Sequence, residues 1–202
     1  MTLTAPGFLE RGEPLNKPAH NLLKTHRDRN YWSTTPWVNE AIQTAILQST
    51  IVLVPQEGFR DHNGPVFPVG TDGLFNYLRE KQTSTGLTVE LAVEDAQYVE
   101  IALHSDIVRI ATAIVSLLLA PLVVNLLGDY IRDRLGGRAN KAEVHSSLIV
   151  EQTDGLHRTS ISINYEGPAA NFESSMKEAI EAIRTGKAQL GEPPTETAKQ
   201  RH

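Results

Sequence analysis

A run of uncharged, mostly apolar residues over 110–127 constrains the fold of this chain more than any other feature. The run has the sequence IATAIVSLLLAPLVVNLL, and its 18 residues reach the lower limit of about 17–25 residues for a membrane-spanning helix. Charged residues flank it on both sides, and Tyr130 lies where an aromatic side chain meets a membrane surface. The pattern predicts one long apolar helix over 106–135, ended by Gly136. The residues that we assign to the candidate span are Ile110, Ile114, Val115, Leu117, Leu118, Leu119, Pro121, Leu122, Val123, Val124, Leu126 and Leu127.

Two environments stay open for this helix. Uniform apolarity favours a membrane span, because a helix on the surface of a globular domain shows a polar stripe. Pro121 and Asn125 are tolerated in a membrane, and equally in a helix buried beneath a sheet. The basic residues that follow the segment are Arg132, Arg134, Arg138 and Lys141. The positive-inside rule places such a flank in the cytoplasm, so the residues before the segment would have to cross the membrane, which favours the buried helix.

The pattern alone favours the span. The predicted location is therefore a membrane, with a single crossing and a cytoplasmic C terminus, and the alternative location is the cytoplasm.

The rest of the chain divides into an arm, one domain and a tail. Proline and glycine recur too often over residues 1–34 for a helix or a strand, which predicts an irregular N-terminal arm. Residues 35–185 form the predicted domain, which contains the apolar helix. Residues 186–202 are polar and include Gly191, Pro193 and Pro194, which is typical of a disordered tail.

Three elements precede the apolar segment within this domain. Thr35-Pro36 is a favourable helix start, and apolar residues at helical spacing follow it, which predicts a helix over about 36–48. The β-branched run 51–54 predicts a strand that is buried on both faces. After a loop, a helix begins at Thr71 or Asp72 and extends to about Lys81.

Two pairs of alternating segments predict two β-hairpins. Residues 88–94 and 97–103 alternate between apolar and polar, which indicates a hairpin that turns near Glu94. Residues 147–152 and 159–165 flank Asp154-Gly155, which is the strongest turn signal in the chain because a type I′ turn needs positive φ at both central residues.

A final helix follows, capped by Asn171. Its apolar residues share one face: Phe172, Met176, Ile180 and Ile183. Gly186 ends it. The predicted fold class is therefore α+β, with two β-hairpins plus one further strand, helices on one face, and one long apolar helix that is transmembrane or buried.

Composition excludes several classes of function. The chain has no cysteine, which removes disulfides, thiolate nucleophiles and cysteine-based metal sites. Its formal net charge is −5, and an acidic balance argues against binding to the nucleic-acid backbone. We therefore expect no nucleic acid among its partners.

No catalytic, cofactor-binding or metal-binding motif stands out. The chain has seven histidines, yet none lies in a His-Glu-x-x-His or His-x-His pattern, and no Walker A loop or nucleophile elbow is present. We therefore predict no cofactor. The loop after the strand 51–54 is the one place where an α/β site could form, because ligands bind beyond the carboxyl ends of strands. It carries Asp61 and His62, with Asp72 at its end.

The layout from Gly73 to Ile183 resembles a group of bacterial accessory domains. A short helix, an alternating strand and a long apolar helix that ends in Tyr130-Ile-Arg-Asp-Arg-Leu135 lead to the hairpin at Asp154-Gly155 and the final amphipathic helix. This order is similar to the effector-associated constant-component domains of bacterial conflict systems. The likeness covers about half of the chain and lacks the Met-Gly pair of that group. It implies a non-enzymatic adaptor role and assigns no site residue.

These observations favour a non-enzymatic, membrane-associated accessory or regulatory protein that acts through a protein partner in a bacterial conflict or defence system. Whether the chain is an enzyme stays open, with a non-enzymatic role favoured. The first alternative is a soluble adaptor whose apolar helix is buried in its own core or in a homo-oligomer. The second is a hydrolase or nucleotide-binding enzyme that uses the 57–72 loop, with Asp61, His62 and Asp72 as its candidate residues.

Overall fold

The computed structural model describes residues 20–59, 62, 64–102, 107–138, 142–154 and 157–191 as a mixed α and β structure. The strands within these ranges are β1 (His20–Lys24), β2 (Ile51–Val54), β3 (Phe67–Pro68), β4 (Val89–Leu91), β5 (Glu100–Ile101), β6 (Ile107–Arg109), β7 (Thr112–Ser116), β8 (Glu143–Asp154) and β9 (His157–Pro168). The α-helices are α1 (Arg29–Ser33), α2 (Glu40–Gln48), α3 (Thr71–Thr85), α4 (Ala120–Leu135) and α5 (Phe172–Arg184).

One mixed sheet organises the molecule. Its strand order is β1-β9-β8-β7-β2-β4, and β6 pairs with β8 beside β7. The antiparallel pair β8–β9 is its longest ladder, with 12 residues in each strand. β7 runs parallel to β8 and antiparallel to β2, whereas β3 and β5 form a separate parallel pair.

The sheet has two unlike faces, because side chains alternate across each strand. Helices α3, α4 and α5 pack on what we call the helix-covered face, which contributes Leu53, Val115, Leu148 and Ile163 to the main core. The opposite face, which we call the half-open face, is covered at one end only. There, side chains from α1 and α2 close a second, smaller core with Val52, Val54, Ala92, Ile114 and Ile149.

The prediction of one continuous helix over 106–135 is wrong. The segment divides into β6, the central strand β7, a turn over 117–119, and α4, which begins at Ala120 with Pro121 in its first turn. The middle of β7, 113–115, is apolar because the strand lies between β2 and β8 and is buried on both faces there. Within the part of the chain that the structure describes, none of the helices combines the length and apolarity that a membrane crossing requires.

Most of the candidate span residues therefore pack in the core of the domain, and they are divided between a strand and a helix. Ile114 and Val115 lie on β7 and face opposite sides of the sheet. Val123, Val124 and Leu127 lie on α4 and are fully buried. The two exposed members are Leu118, at 87%, and Leu122, at 37%.

Several other predictions are confirmed. The strand 51–54 is β2 and is buried throughout, the hairpin through Asp154 is β8–β9, and the final helix is α5 with its apolar stripe buried. The helix that follows Thr35-Pro36 starts later than predicted. It begins at Glu40, because the side chain of Asn39 accepts a hydrogen bond from the Ile42 amide at 2.9 Å and acts as the cap.

The predicted first hairpin is wrong in its pairing. β4 pairs with β2 and β5 pairs with β3, in both cases in parallel. Alternation identified half-buried strands but does not name their partners. Residue 103 lies outside the described residues.

The predicted arm and tail are partly ordered. Residues 20–24 form β1, which pairs with β9, and residues 29–33 form α1, so the arm is not irregular over its second half. Near the other end, the Gly191 amide donates to the Leu22 carbonyl at 2.8 Å. Residues 1–19 and 192–202 lie outside the described residues. The expectation of helices on one face only also fails, because α1 and α2 pack on the half-open face.

A buried arginine fixes α1 to the sheet. The Arg29 side chain forms an ion pair with Glu151 of β8 at 3.3 Å, and each side chain is 9% exposed. Its guanidinium also donates to the carbonyl oxygens of Ile46, at 2.6 Å, and Ser49 at the C-terminal end of α2. These contacts satisfy carbonyls that the helix itself leaves unpaired.

A carboxylate from β5 caps α3. Gly70 precedes this helix at φ 88° and has no side chain with which to cap it. Glu100 instead accepts hydrogen bonds from the amides of Gly70, at 2.9 Å, and Asp72, at 2.8 Å. The Tyr98 hydroxyl also donates to Glu100, at 2.6 Å. Burial opposes ionisation of Glu100, but these hydrogen bonds outweigh it and hold the pKa of the carboxyl below its ordinary value.

Candidate functional site

The uncovered part of the half-open face forms a polar trough between α1 and the loop 56–59. It consists of two adjoining depressions, of about 360 Å³ and about 410 Å³, which share Gln56, Thr112 and Ser147. The first depression is further lined by Asn21, Arg109, Ile110, His145, Ser146, Asn164, Tyr165 and Glu166. The second is further lined by Thr25, Arg27, Trp32, Val54, Pro55, Glu57, Gly58, Phe59, Ile149 and Ser162.

Strand alternation places the polar side chains on the floor of the trough. Along β8, Leu148 and Val150 belong to the main core behind the sheet, whereas Ser147 and Ile149 line the trough. The register pairs Ser147 with Asn164 of β9, and Asn164 with Asn21 of β1. Polar residues therefore meet side by side across three adjacent strands.

A hydrogen-bond network orders this floor. The Ser147 hydroxyl lies 2.7 Å from the Asn164 Oδ1 atom, and the Ser162 hydroxyl lies 3.0 Å from the same oxygen. The Asn164 side-chain amide donates to the Asn21 Oδ1 atom at 3.0 Å. The Asn164 amide group is thus held in one orientation. A ligand that binds to this floor would not have to pay the entropy of ordering its side chains.

One wall of the trough is held by a glutamate. The Tyr31 hydroxyl donates to the carboxylate of Glu57 at 2.8 Å, and Arg27 forms an ion pair with it at 3.3 Å. Glu57 therefore ties the loop 56–59 to α1 and the segment before it. Trp32 lies on the inner side of this wall, packs edge-on against Tyr31 and is 2% exposed.

Three residues that line the trough have unpaired buried donors. Within the described residues, the Nε atom of Arg109, the Nε1 atom of Trp32 and the hydroxyl of Ser146 have no hydrogen-bond partner. Arg109 forms no ion pair with any described residue either. Such unpaired buried donors cost free energy in the fold, so each one requires an explanation.

The rim beside Arg109 carries charges of the opposite sign. Arg109 of β6 pairs in register with His145 of β8, which in turn pairs with Glu166 of β9. The His145 ring lies 3.5 Å from a Glu143 oxygen and 3.9 Å from a Glu166 oxygen. One guanidinium and two carboxylates therefore surround this end of the trough, which is not a strongly cationic surface.

The structure does not support a cluster at the predicted site loop. His62 is exposed, and its Nδ1 atom accepts from the Gly64 amide at 3.3 Å. Asp72 is exposed in the first turn of α3, where it accepts from the Asn76 amide group at 3.2 Å. Neither residue lines the trough, and Asp61 lies outside the described residues. The catalytic role of this loop stays a prediction.

No group of at least three His, Asp or Glu side chains among the described residues is placed to hold a metal ion.

Sequence reasoning missed the trough because its residues come from distant segments. Asn21, Thr112, Ser147 and Asn164 belong to four different strands and form no motif along the chain. The signal that could have found it is Arg109, a charge at the end of β6 just before the apolar strand β7. The segment prediction treated this arginine as a flank of a membrane helix.

No family model matches the chain, and neither a curated protein nor a solved structure gives a significant match. The resemblance to effector-associated constant-component domains stays a prediction.

Proposed function

We propose that this chain is a non-enzymatic accessory protein that binds an extended segment of a partner protein in the polar trough. The observation that carries this proposal is the uncovered half of a sheet face, floored by a hydrogen-bonded network and bordered by unpaired buried donors. A ligand in the trough would supply acceptors to the guanidinium of Arg109, which is partly exposed and has no partner among the described residues.

The dimensions suit an extended peptide. From His145 to Ile149 the trough follows five residues of β8, and the four steps between them correspond to about 13 Å at the rise of a strand. A peptide of about four residues would cover this length, and its backbone groups would meet the hydroxyl and amide groups of the floor.

The chemistry of the floor favours binding over catalysis. The Ser147 hydroxyl is engaged with Asn164 Oδ1, which is an amide oxygen and no general base. Among the described residues, no hydrogen bond joins Ser147 to His145. The nearest partners of that imidazole are the Glu143 and Glu166 carboxylates. We therefore assign the trough to recognition, and a partner from a bacterial conflict system rests on the layout resemblance alone.

A peptide selection tests this proposal. Random peptides, displayed with free C termini or within a scaffold loop, are selected on the purified protein, and binding is compared with two variants. Ser147→Tyr fills the trough at its floor, whereas Ser174→Tyr places the same ring on the exposed surface of α5.

We expect enriched peptides to bind the unmodified protein and Ser174→Tyr equally, and to lose binding to Ser147→Tyr by about tenfold or more. Thermal unfolding of both variants confirms that they remain folded. Peptides that bind folded Ser147→Tyr as well as the unmodified protein would contradict the proposal, as would a selection that enriches no peptide.

A further inference from the structure

Arg109 is an isolated cation at one end of the trough. It makes no hydrogen bond or ion pair with the described residues, and its Nε atom is buried. By contrast, the other two arginines beside the trough have carboxylate partners: Arg27 pairs with Glu57, and Arg29 pairs with Glu151. A guanidinium held beside buried surface without a partner is suited to receive an anion, because two parallel N–H groups match a carboxylate.

The surroundings favour a monoanion over a phosphate group. Glu143 and Glu166 lie close to His145, the residue that faces Arg109 across the strand pair. A dianionic phosphate would meet their repulsion with a single arginine to offset it. A carboxylate carries one charge, and neutral donors such as the Gln56 and Asn21 side-chain amides line the same depression.

The position of Arg109 favours a chain terminus. Arg109 lines the depression that lies away from Trp32, and it also borders a small space of about 10 Å³ among Val66, Phe67, Pro68 and Ile101. Such a space holds about one water molecule and admits no further residue. A peptide that follows the trough from Trp32 toward Arg109 would end there, so its last group would face the guanidinium.

We infer that Arg109 binds the C-terminal carboxylate of the partner segment. This inference rests on the proposed function, and it adds the chemistry and the direction of the bound peptide. The floor around Asn164 and Ser147 would receive the preceding residues, and Trp32 would border the N-terminal part of the segment. Capture of a C-terminal carboxylate is an established mode of peptide recognition.

The test compares one peptide in two forms. A peptide enriched from the library with free C termini is synthesised as the free acid and as the C-terminal amide, and both dissociation constants are measured by fluorescence anisotropy. The measurements are repeated with Arg109→Gln and with the control Arg184→Gln, which removes an exposed arginine of α5. Thermal unfolding checks that both variants are folded.

We expect the free acid to bind the unmodified protein about tenfold or more tightly than the amide, as for a charge-assisted hydrogen bond. In Arg109→Gln the acid and the amide should bind equally, whereas Arg184→Gln should preserve the full difference. This ratio depends on the terminal charge and would not respond to a merely structural role of Arg109.

Three results would overturn the inference. Equal binding of acid and amide to the unmodified protein is the first, and a preference for the acid that survives in Arg109→Gln is the second. Enriched peptides that need an internal Asp or Glu rather than a free terminus are the third. In each case the trough still binds peptides, so the proposed function stands. A selection that enriches no peptide would contradict both the proposed function and this inference.

Discussion

The two faces of the sheet are built from the same strands yet differ in what they contain. Ile163 and Asn164 are neighbours on β9, but Ile163 is fully buried beneath the helices, whereas Asn164 lines the trough and bonds to Ser147 and Asn21. α1 and α2 close the other part of the half-open face with Trp32 and Ile46. The comparison teaches that one face supplies most of the core, so part of the other face can stay uncovered and polar without loss of the core.

The largest expected effect concerns the covered end of the half-open face. Arg29→Met should lower the free energy of unfolding by about 3–5 kcal/mol, because the buried Glu151 carboxylate would lose its charged partner and keep only the backbone amide at residue 29. Urea denaturation measures the change. Arg184→Met removes an exposed arginine and should stay within about 0.5 kcal/mol of the unmodified protein. Equal effects of the two changes would show that α1 does not fix this end of the sheet.

The second prediction compares the faces directly at neighbouring residues. Ile163→Ala should lower the free energy of unfolding by about 2–5 kcal/mol, since it removes buried methyl groups and leaves a cavity. Asn164→Ala should lower it by about 1 kcal/mol or less, because the hydroxyl of Ser147 regains water as a partner. Chemical denaturation of both variants gives the comparison, and a larger loss for Asn164→Ala would reverse the roles of the faces.

The third prediction concerns the cap of α3 and its dependence on pH. The pKa of Glu100 is lowered in the fold, so the unfolded chain takes up a proton first as pH falls. The stabilisation by Glu100 is therefore complete above its ordinary pKa of 4.5, and it declines as pH falls toward the lower pKa of the folded state.

Glu100→Gln should lower the free energy of unfolding at neutral pH by about 0.5–2 kcal/mol, as for the loss of a helix cap. It should also flatten the decline of stability below pH 4.5. Thermal unfolding across this range of pH measures both. An unchanged decline in Glu100→Gln would assign the acid sensitivity to other carboxyl groups, such as that of Glu173, whose pKa is also lowered by its contacts with Lys177 and Arg132.

The smallest expected effect on stability belongs to the trough. Arg109→Gln should change the free energy of unfolding by about 0.5 kcal/mol or less, because Arg109 has no partner to lose within the described residues. Urea denaturation of Arg109→Gln and Arg29→Met in parallel should give the smallest and the largest change in the free energy of unfolding, respectively. A loss of several kcal/mol would mean that Arg109 supports the fold, and its part in recognition would then need another explanation.

Strong local signals predicted part of this fold correctly. The short β-branched run closed by Pro55 indicates the strand β2, the sequence Asp154-Gly155 indicates the hairpin β8–β9, and the apolar stripe at helical spacing indicates α5. The α+β class follows from these elements.

The long apolar segment could not be resolved in this way. A strand buried on both faces and a buried helix are both uniformly apolar, so periodicity does not separate them. Pro121 was the available signal, because proline is favoured in the first turn of a helix and marks the start of α4. The β-branched residues Thr112, Ile114 and Val115 point to the strand before it.

The candidate site was harder to predict from the sequence than the fold was. Asn21 and Asn164 are separated by most of the chain, and they become neighbours because β1 pairs with the edge of β9. β1 was itself assigned to an irregular arm, because the frequent prolines before it outweighed the signal of a strand of only five residues. No local pattern reports which strands become neighbours, so the trough appears only once the sheet order is known.

The central claim is that the uncovered part of the half-open face is the recognition surface. The most direct test is NMR chemical-shift mapping, in which an enriched peptide is added to the isotope-labelled protein. We expect the largest shifts at the amides of Asn21, Ser147 and Asn164 and at the Nε–H of Arg109, and no shifts across the exposed surface of α5. Shifts that cluster on α4 and α5 and leave the trough unchanged would contradict the account.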